Sequence, residues 1–198
     1  MKPLEKKVNN IWLQKKMQQH NFSRQELARL VCLTPSYIGR LLSGKPIPKQ
    51  SKHLLYHFFL YFERNGDEAD ILNIVNSSWL TQKAEQNRLS LNELSYEIGL
   101  VADYVRQFMS GEIVIPPKTK YLLYYFFAGL ENQAEHNAAK IAEKLKQTGR
   151  PIYIVARPEY PVDIETLCRY AAPCTVELKT NTDSPNIHIY IEPKAQDG

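Results

Sequence analysis

The stretch Phe22–Pro48, FSRQELARLVCLTPSYIGRLLSGKPIP, decides the fold. It reads as two short helices joined by a tight turn. Ser23 and Glu26 make a capping box: the hydroxyl caps the first helix and the carboxylate reaches back to a free N–H. Leu27, Ala28 and Val31 then form one apolar face, and the small Ala28 lets a second helix pack close. Leu33 plugs the turn. Thr34 is a good N-cap, and Pro35 takes the first helical position, where its missing N–H costs nothing. Ile38, Leu41 and Leu42 continue at helical spacing, and Ser43-Gly44 stops the helix.

Charge gathers around this stretch. Residues 1–63 carry eleven Lys/Arg against three Glu, a net of +8. Residues 64–131 carry six basic against nine acidic side chains, or −3, and residues 132–198 carry eight against nine, or −1. The whole chain is +4, so the excess lies entirely in the first segment. A polyanion partner for that segment is the direct inference.

The second segment repeats the first. WLTQKAEQNRLSLNELSYEIGL from Trp79 aligns with WLQKKMQQHNFSRQELARLVCL from Trp12. Ser90 matches Ser23, Glu93-Leu94 matches Glu26-Leu27, Tyr104 matches Tyr37, and Ser110-Gly111 matches Ser43-Gly44. After one inserted residue, YLLYYFFAGLE matches HLLYHFFLYFE. The expectation is a duplicated domain. The copies differ where a nucleic acid would be read. Val101 is a poor N-cap, Asp103 would lie close to phosphates, and Gln107 and Glu112 stand where the first copy has Arg40 and Lys45.

Phe22–Pro48 resembles the helix-turn-helix of the lambda-repressor-like (Cro/repressor, XRE) family without a gap; Cys32 stands where that family usually has glycine. The resemblance implies a second helix lying in the DNA major groove. It implies base contacts from Pro35, Ser36, Tyr37 and Arg40, and phosphate contacts from Arg24, Ser43, Lys45 and Lys49. Tyr37 recurs as Tyr104, so a structural role is an equal alternative. Weaker counterparts in the second copy are Ala102, Asp103, Tyr104, Arg106 and Gln107.

The rest of the chain supports a helical protein. Residues 4–20 read as a lead helix with Leu4, Val8, Ile11, Trp12 and Leu13 on its apolar side. Leu54, Leu55, Phe58, Phe59 and Phe62 form a stripe wider than one small core needs, and Asn65-Gly66-Asp67 breaks it. Residues 131–148 extend the second aromatic helix as far as Gly149-Arg150-Pro151. The tail then reads β-α-β-β: PIYIVARP, a helix opened by Asp163, CTVELKT, a turn over Asn181–Asn186, and NIHIYIE with Ile187, Ile189 and Ile191 on one side. Three strands leave open edges and a poorly covered face.

The fold class is therefore mainly α: two tandem lambda-repressor-like helix-turn-helix domains, residues 1–66 and 67–149, followed by a small α/β module, residues 150–198. The expected function is sequence-specific binding of double-stranded DNA by a repressor acting as a homodimer, with the spare aromatic stripe and strand edges available for pairing; the other geometry, which the charge split disfavours, has the two copies of one chain reading adjacent grooves. The alternative is a non-catalytic interaction module, an antitoxin or phage-encoded inhibitor, with the C-terminal module taking a protein partner. No catalytic constellation or glycine-rich phosphate loop stands out, and no cofactor is expected. His53 and His57 alone do not make a zinc site. Cys168 and Cys174 read as buried free thiols. The longest apolar runs are too short to span a bilayer and no leader is evident, so a cytoplasmic protein is expected.

Overall fold

Asn9 sets where the first helix begins. Its side chain accepts the Trp12 N–H at 2.9 Å, so helix α1 runs Asn10–Gln19 and residues 8 and 9 stand outside it. The computed structural model describes residues 7–63, 69–148, 150–156, 161–171, 174–180 and 187–193. Leu4, the Asn65–Asp67 break, Gly149 and the Asn181–Asn186 turn lie outside them. Within α1, Leu13 is buried but Ile11 is 79% exposed. Ile11 was expected on the apolar side, yet the short capped helix turns it to solvent.

After α1 come α2 (Arg24–Leu30), α3 (Pro35–Leu42), α4 (Lys49–Phe62), α5 (Ile71–Ile74), α6 (Ser77–Gln86), α7 (Leu91–Ile98), α8 (Ala102–Ser110) and α9 (Pro117–Thr148). Then follow β1 (Ile152–Ala156), α10 (Ile164–Ala171), β2 (Cys174–Thr180) and β3 (Ile187–Pro193). The protein is mainly helical, with a small antiparallel sheet near its C-terminus. The chain divides into two compact units, one reaching to Gly129 and one starting at Leu130. No helix among the described residues is long and apolar enough to cross a membrane.

In the first unit, local geometries recur 67 residues apart. Ser23 and Glu26 form a capping box before α2, as Ser90 and Glu93 do before α7. After α2, the Leu33 N–H reaches the Ala28 carbonyl at 2.8 Å; after α7, the Leu100 N–H reaches the Ser95 carbonyl at 3.0 Å. Each chain reversal needs one left-handed residue. Gly99 supplies it at φ +68°, and Cys32 supplies it at φ +51°. A side chain there crowds the following carbonyl, at a cost of about 1–2 kcal/mol. The first turn accepts this strain at Cys32. Gly99 has no such latitude, because a Cβ there would stand 2.6 Å from Cδ2 of His53.

The ring packing recurs as well. Trp12 meets Phe59 edge-on at 5.5 Å, and Trp79 meets Phe127 edge-on at 5.5 Å. The two aromatic helices then close on each other's helix pairs. From α4, His57 Nε2 donates to the Glu97 carbonyl at 3.4 Å, and His53 Nδ1 lies 2.6 Å from the same oxygen. From α9, the Tyr125 hydroxyl donates to the Leu30 carbonyl at 2.6 Å. Phe58 and Tyr61 pack on Tyr125 at 5.3 Å, and His57 meets Phe126 edge-on at 5.2 Å. The aromatic stripe is therefore not spare. Phe58 and Tyr61 are buried against Tyr125 of the second aromatic helix, and Phe59 is buried against Trp12, His20 and Phe22.

In the second unit the strand order is β1-β3-β2, antiparallel throughout. Ile189 and Ile191 are fully buried against Ala138, Ile141, Ala142 and Leu145 of α9 and Leu167 and Ala171 of α10. Asp163 caps α10, its carboxylate accepting the Thr166 N–H at 2.6 Å. One sheet face is thus well covered, because α9 runs on far enough to reach it; the opposite face, with the cross-strand pair Tyr153 and Tyr190 exposed, is the poorly covered one that three strands predict. Cys168 is exposed rather than buried, one position off the α10 face that carries Leu167 and Ala171.

Two stability measurements follow. Cys32→Gly should raise unfolding free energy in urea by about 0.5–1 kcal/mol, since relief of the left-handed strain exceeds the entropy glycine adds to the unfolded chain. Burial lowers the His57 pKa from 6.5 to about 4, so between those values the unfolded chain binds a proton that the folded chain refuses. Stability should fall as pH drops through that window, by up to about 3 kcal/mol from this group. Urea denaturation of His57→Asn should show a shallower pH dependence than the parent.

Candidate nucleic-acid interface

Helix α3 owes its start to Thr34, whose hydroxyl accepts the Tyr37 N–H at 3.2 Å, with Pro35 in the first turn. It ends at Ser43, whose hydroxyl donates to the Arg40 carbonyl at 2.8 Å, and Gly44 turns the chain at φ +87°. Ile38 and Leu41 bury the inner face. Pro35, Ser36 and Arg40 are left on the outer face, all exposed. The Asn10 side chain ties this end of α3 to α1, donating to the Leu41 carbonyl and, at 2.9 Å, to the Lys45 carbonyl.

Tyr37 is half-buried and turned inward. Its hydroxyl hydrogen-bonds Ser51 Oγ at 2.9 Å, and Ser51 is fully buried in the first turn of α4. The Arg40 guanidinium lies over the Tyr37 ring, 4.6 Å from its centroid. Tyr37 thus has an internal role: it anchors α3 to α4 and holds Arg40 in a fixed orientation. Arg24 reaches across from α2, its Nη1 within 3.5 Å of where a Cβ on Gly39 would stand. Arg24, Tyr37, Arg40 and Ser43 therefore gather on and beside α3. Lys45 and Lys49 are exposed farther on, in the loop after α3 and at the start of α4.

The corresponding surface of α8 is built differently. Val101 gives no side-chain cap. The Arg106 guanidinium bonds Asp103 Oδ1 at 2.9 Å and Glu112 Oε1 at 2.9 Å. Its hydrogen bonds to Asp103 first, then the charge of Glu112, hold its pKa above the ordinary arginine value. The Gln107 amide donates to Asp103 Oδ2 at 3.4 Å. Tyr104 does not turn inward as Tyr37 does; it is 55% exposed and stacks on Phe108 at 6.5 Å. Ala102 is half-buried beside it.

One cation at the first surface has no local signal in the sequence. Lys118, from the start of α9, places its ammonium 5.8 Å from the Tyr37 centroid and 3.2 Å from Ser51 Oγ. Only the aligned repeat, which puts the starts of the two aromatic helices in register, hints at such proximity. Among the described residues, no group of His, Cys, Asp and Glu could hold a metal ion.

A family model described as helix-turn-helix matches residues 13–52, from α1 into the first turn of α4. Over that span the chain is similar to DNA-binding helix-turn-helix regulators of the XRE type. No curated protein and no solved structure matches the chain.

Proposed function

We propose that the chain is a duplex-DNA-binding transcriptional regulator, a repressor that occupies its operator through α3. The observation that carries this reading is the state of two arginines. Arg40 stands exposed over a neutral ring, with no carboxylate partner among the described residues, inside the matched span and a segment of charge +8. Arg106 is already neutralised by Asp103 and Glu112. A guanidinium without an acid can donate two hydrogen bonds to guanine. Occupying a promoter needs no further contact surface, which favours repression over activation.

In this reading residues 1–66 are the DNA-reading copy, residues 67–149 a scaffold copy and residues 150–198 a module for dimerisation or partner binding. The capping boxes and turns recurring 67 residues apart, and the ring pairs recurring with the one inserted residue, support tandem duplication. Pairing of two chains then rests on the second unit, where, among the described residues, β1 and β2 each pair on one side only, because much of the aromatic stripe is already covered. A second reading, a non-catalytic interaction module, is favoured by Tyr96, Val101, Tyr104 and Val114, apolar residues exposed on and around α7 and α8.

Selection of bound sequences from random duplex DNA tests the proposal; a palindrome would give both specificity and symmetry. For about four to six phosphate contacts, log K should fall against log salt with a slope near −4 to −5. A flat salt response would favour the interaction module. Against the selected site, Arg40→Ala should cost about 1–3 kcal/mol and relax one base position. Gln107→Ala should cost less than about 0.5 kcal/mol; equal losses would make both copies readers.

A further inference from the structure

We propose that Lys118, carried by the second segment, is a phosphate-holding residue of the duplex site centred on Arg40. This rests on the DNA-binding reading above. One ring, that of Tyr37, lies against two cations: the Arg40 guanidinium at 4.6 Å and the Lys118 ammonium at 5.8 Å. A buried hydroxyl fixes the arrangement. Ser51 Oγ is hydrogen-bonded to Tyr37 at 2.9 Å and to Lys118 at 3.2 Å.

Neither cation has a carboxylate partner among the described residues. Both are held by neutral groups, a π face and a hydroxyl, which orient them without discharging them. Two like charges on one ring repel in the free protein, and a polyanion converts that repulsion into attraction. Lys120, two residues on, is differently engaged: its ammonium donates to the Leu72 carbonyl at 2.6 Å. The segment supplying Lys118 has a net charge of −3, so the lysine at the first surface runs against its own segment's charge.

The chemistry of an ammonium defines its target. It is a compact point charge without the planar fork that reads guanine, so it holds a backbone phosphate and contributes affinity rather than sequence choice. The second segment would then act in DNA binding without reading bases, by bracing the first recognition helix and supplying one phosphate contact.

The test is titration of the full-length chain against its selected duplex over a range of salt, for the parent, Lys118→Gln, Lys118→Arg and Arg40→Ala. Lys140→Gln is the control, an equal charge change at an exposed residue of the second unit. Lys118→Gln should lose about three- to tenfold in affinity on every duplex and reduce the salt slope by about one. Lys118→Arg should restore the slope, and Arg40→Ala should instead change the sequence preference. Thermal melting of each variant separates folding loss, which does not change the number of displaced counterions. If Lys118→Gln matches Lys140→Gln in affinity and slope while Arg40→Ala loses binding, this assignment is wrong and the DNA reading stands. If the parent binds no duplex, both fail together.

Discussion

The first unit depends on a reciprocal contact between its two aromatic helices and the opposite helix pairs. Helix α4 sends His57 to the carbonyl of Glu97 at the end of α7, and α9 sends Tyr125 to the carbonyl of Leu30 at the end of α2. Each bond satisfies a carbonyl in the last turn of a helix, where no intrahelical partner remains. Around these bonds Phe58 and Tyr61 pack on Tyr125, and Phe126 packs edge-on to His57. Burying rings of this size contributes more than the two hydrogen bonds, roughly 1.5–3 kcal/mol for each phenyl group. The bonds fix the register in which the burial occurs.

That contact also explains why the helix pairs can differ in surface chemistry while sharing their inner geometry. Ile38 and Val105 are both fully buried, as are Leu27 and Leu94; these positions answer to packing. The outer positions are not held by that core packing. There α3 keeps a guanidinium supported by a ring, whereas α8 closes an ion cluster of Asp103, Arg106 and Glu112 on itself. Surface pairs of this kind add little to stability. The effect of Asp103 and Glu112 is instead to cancel a positive charge on the helix face that α3 leaves positive.

Much of this was legible in the sequence. Capping boxes, Pro35, Ser43-Gly44 and the β-α-β-β tail are local patterns, and local patterns survive folding when nothing opposes them. Two errors share one cause. The aromatic stripe looked too wide and Ile11 looked buried, because periodicity reports that a residue has an apolar face without naming what covers it. The cover for α4 is α9, far along the chain, and the cover for the sheet is the far end of that same helix. Tyr37 was ambiguous for a related reason: its partner, Ser51, lies on the next helix. Lys118 was invisible because its neighbours are distant in sequence and its own segment is acidic.

The turns at Cys32 and Gly99 adopt the same left-handed backbone, yet they are not exchangeable. His53 sits over the second turn so closely that any β-carbon at residue 99 would strike the ring. A recombination event copying the first turn onto the second would place a cysteine there and force the His53 ring off the Glu97 carbonyl. The reverse exchange would set a glycine into the first turn, where the backbone already has a glycine's conformation. Substitution between the two turns is therefore tolerated in one direction only. The histidine that joins them also preserves their difference.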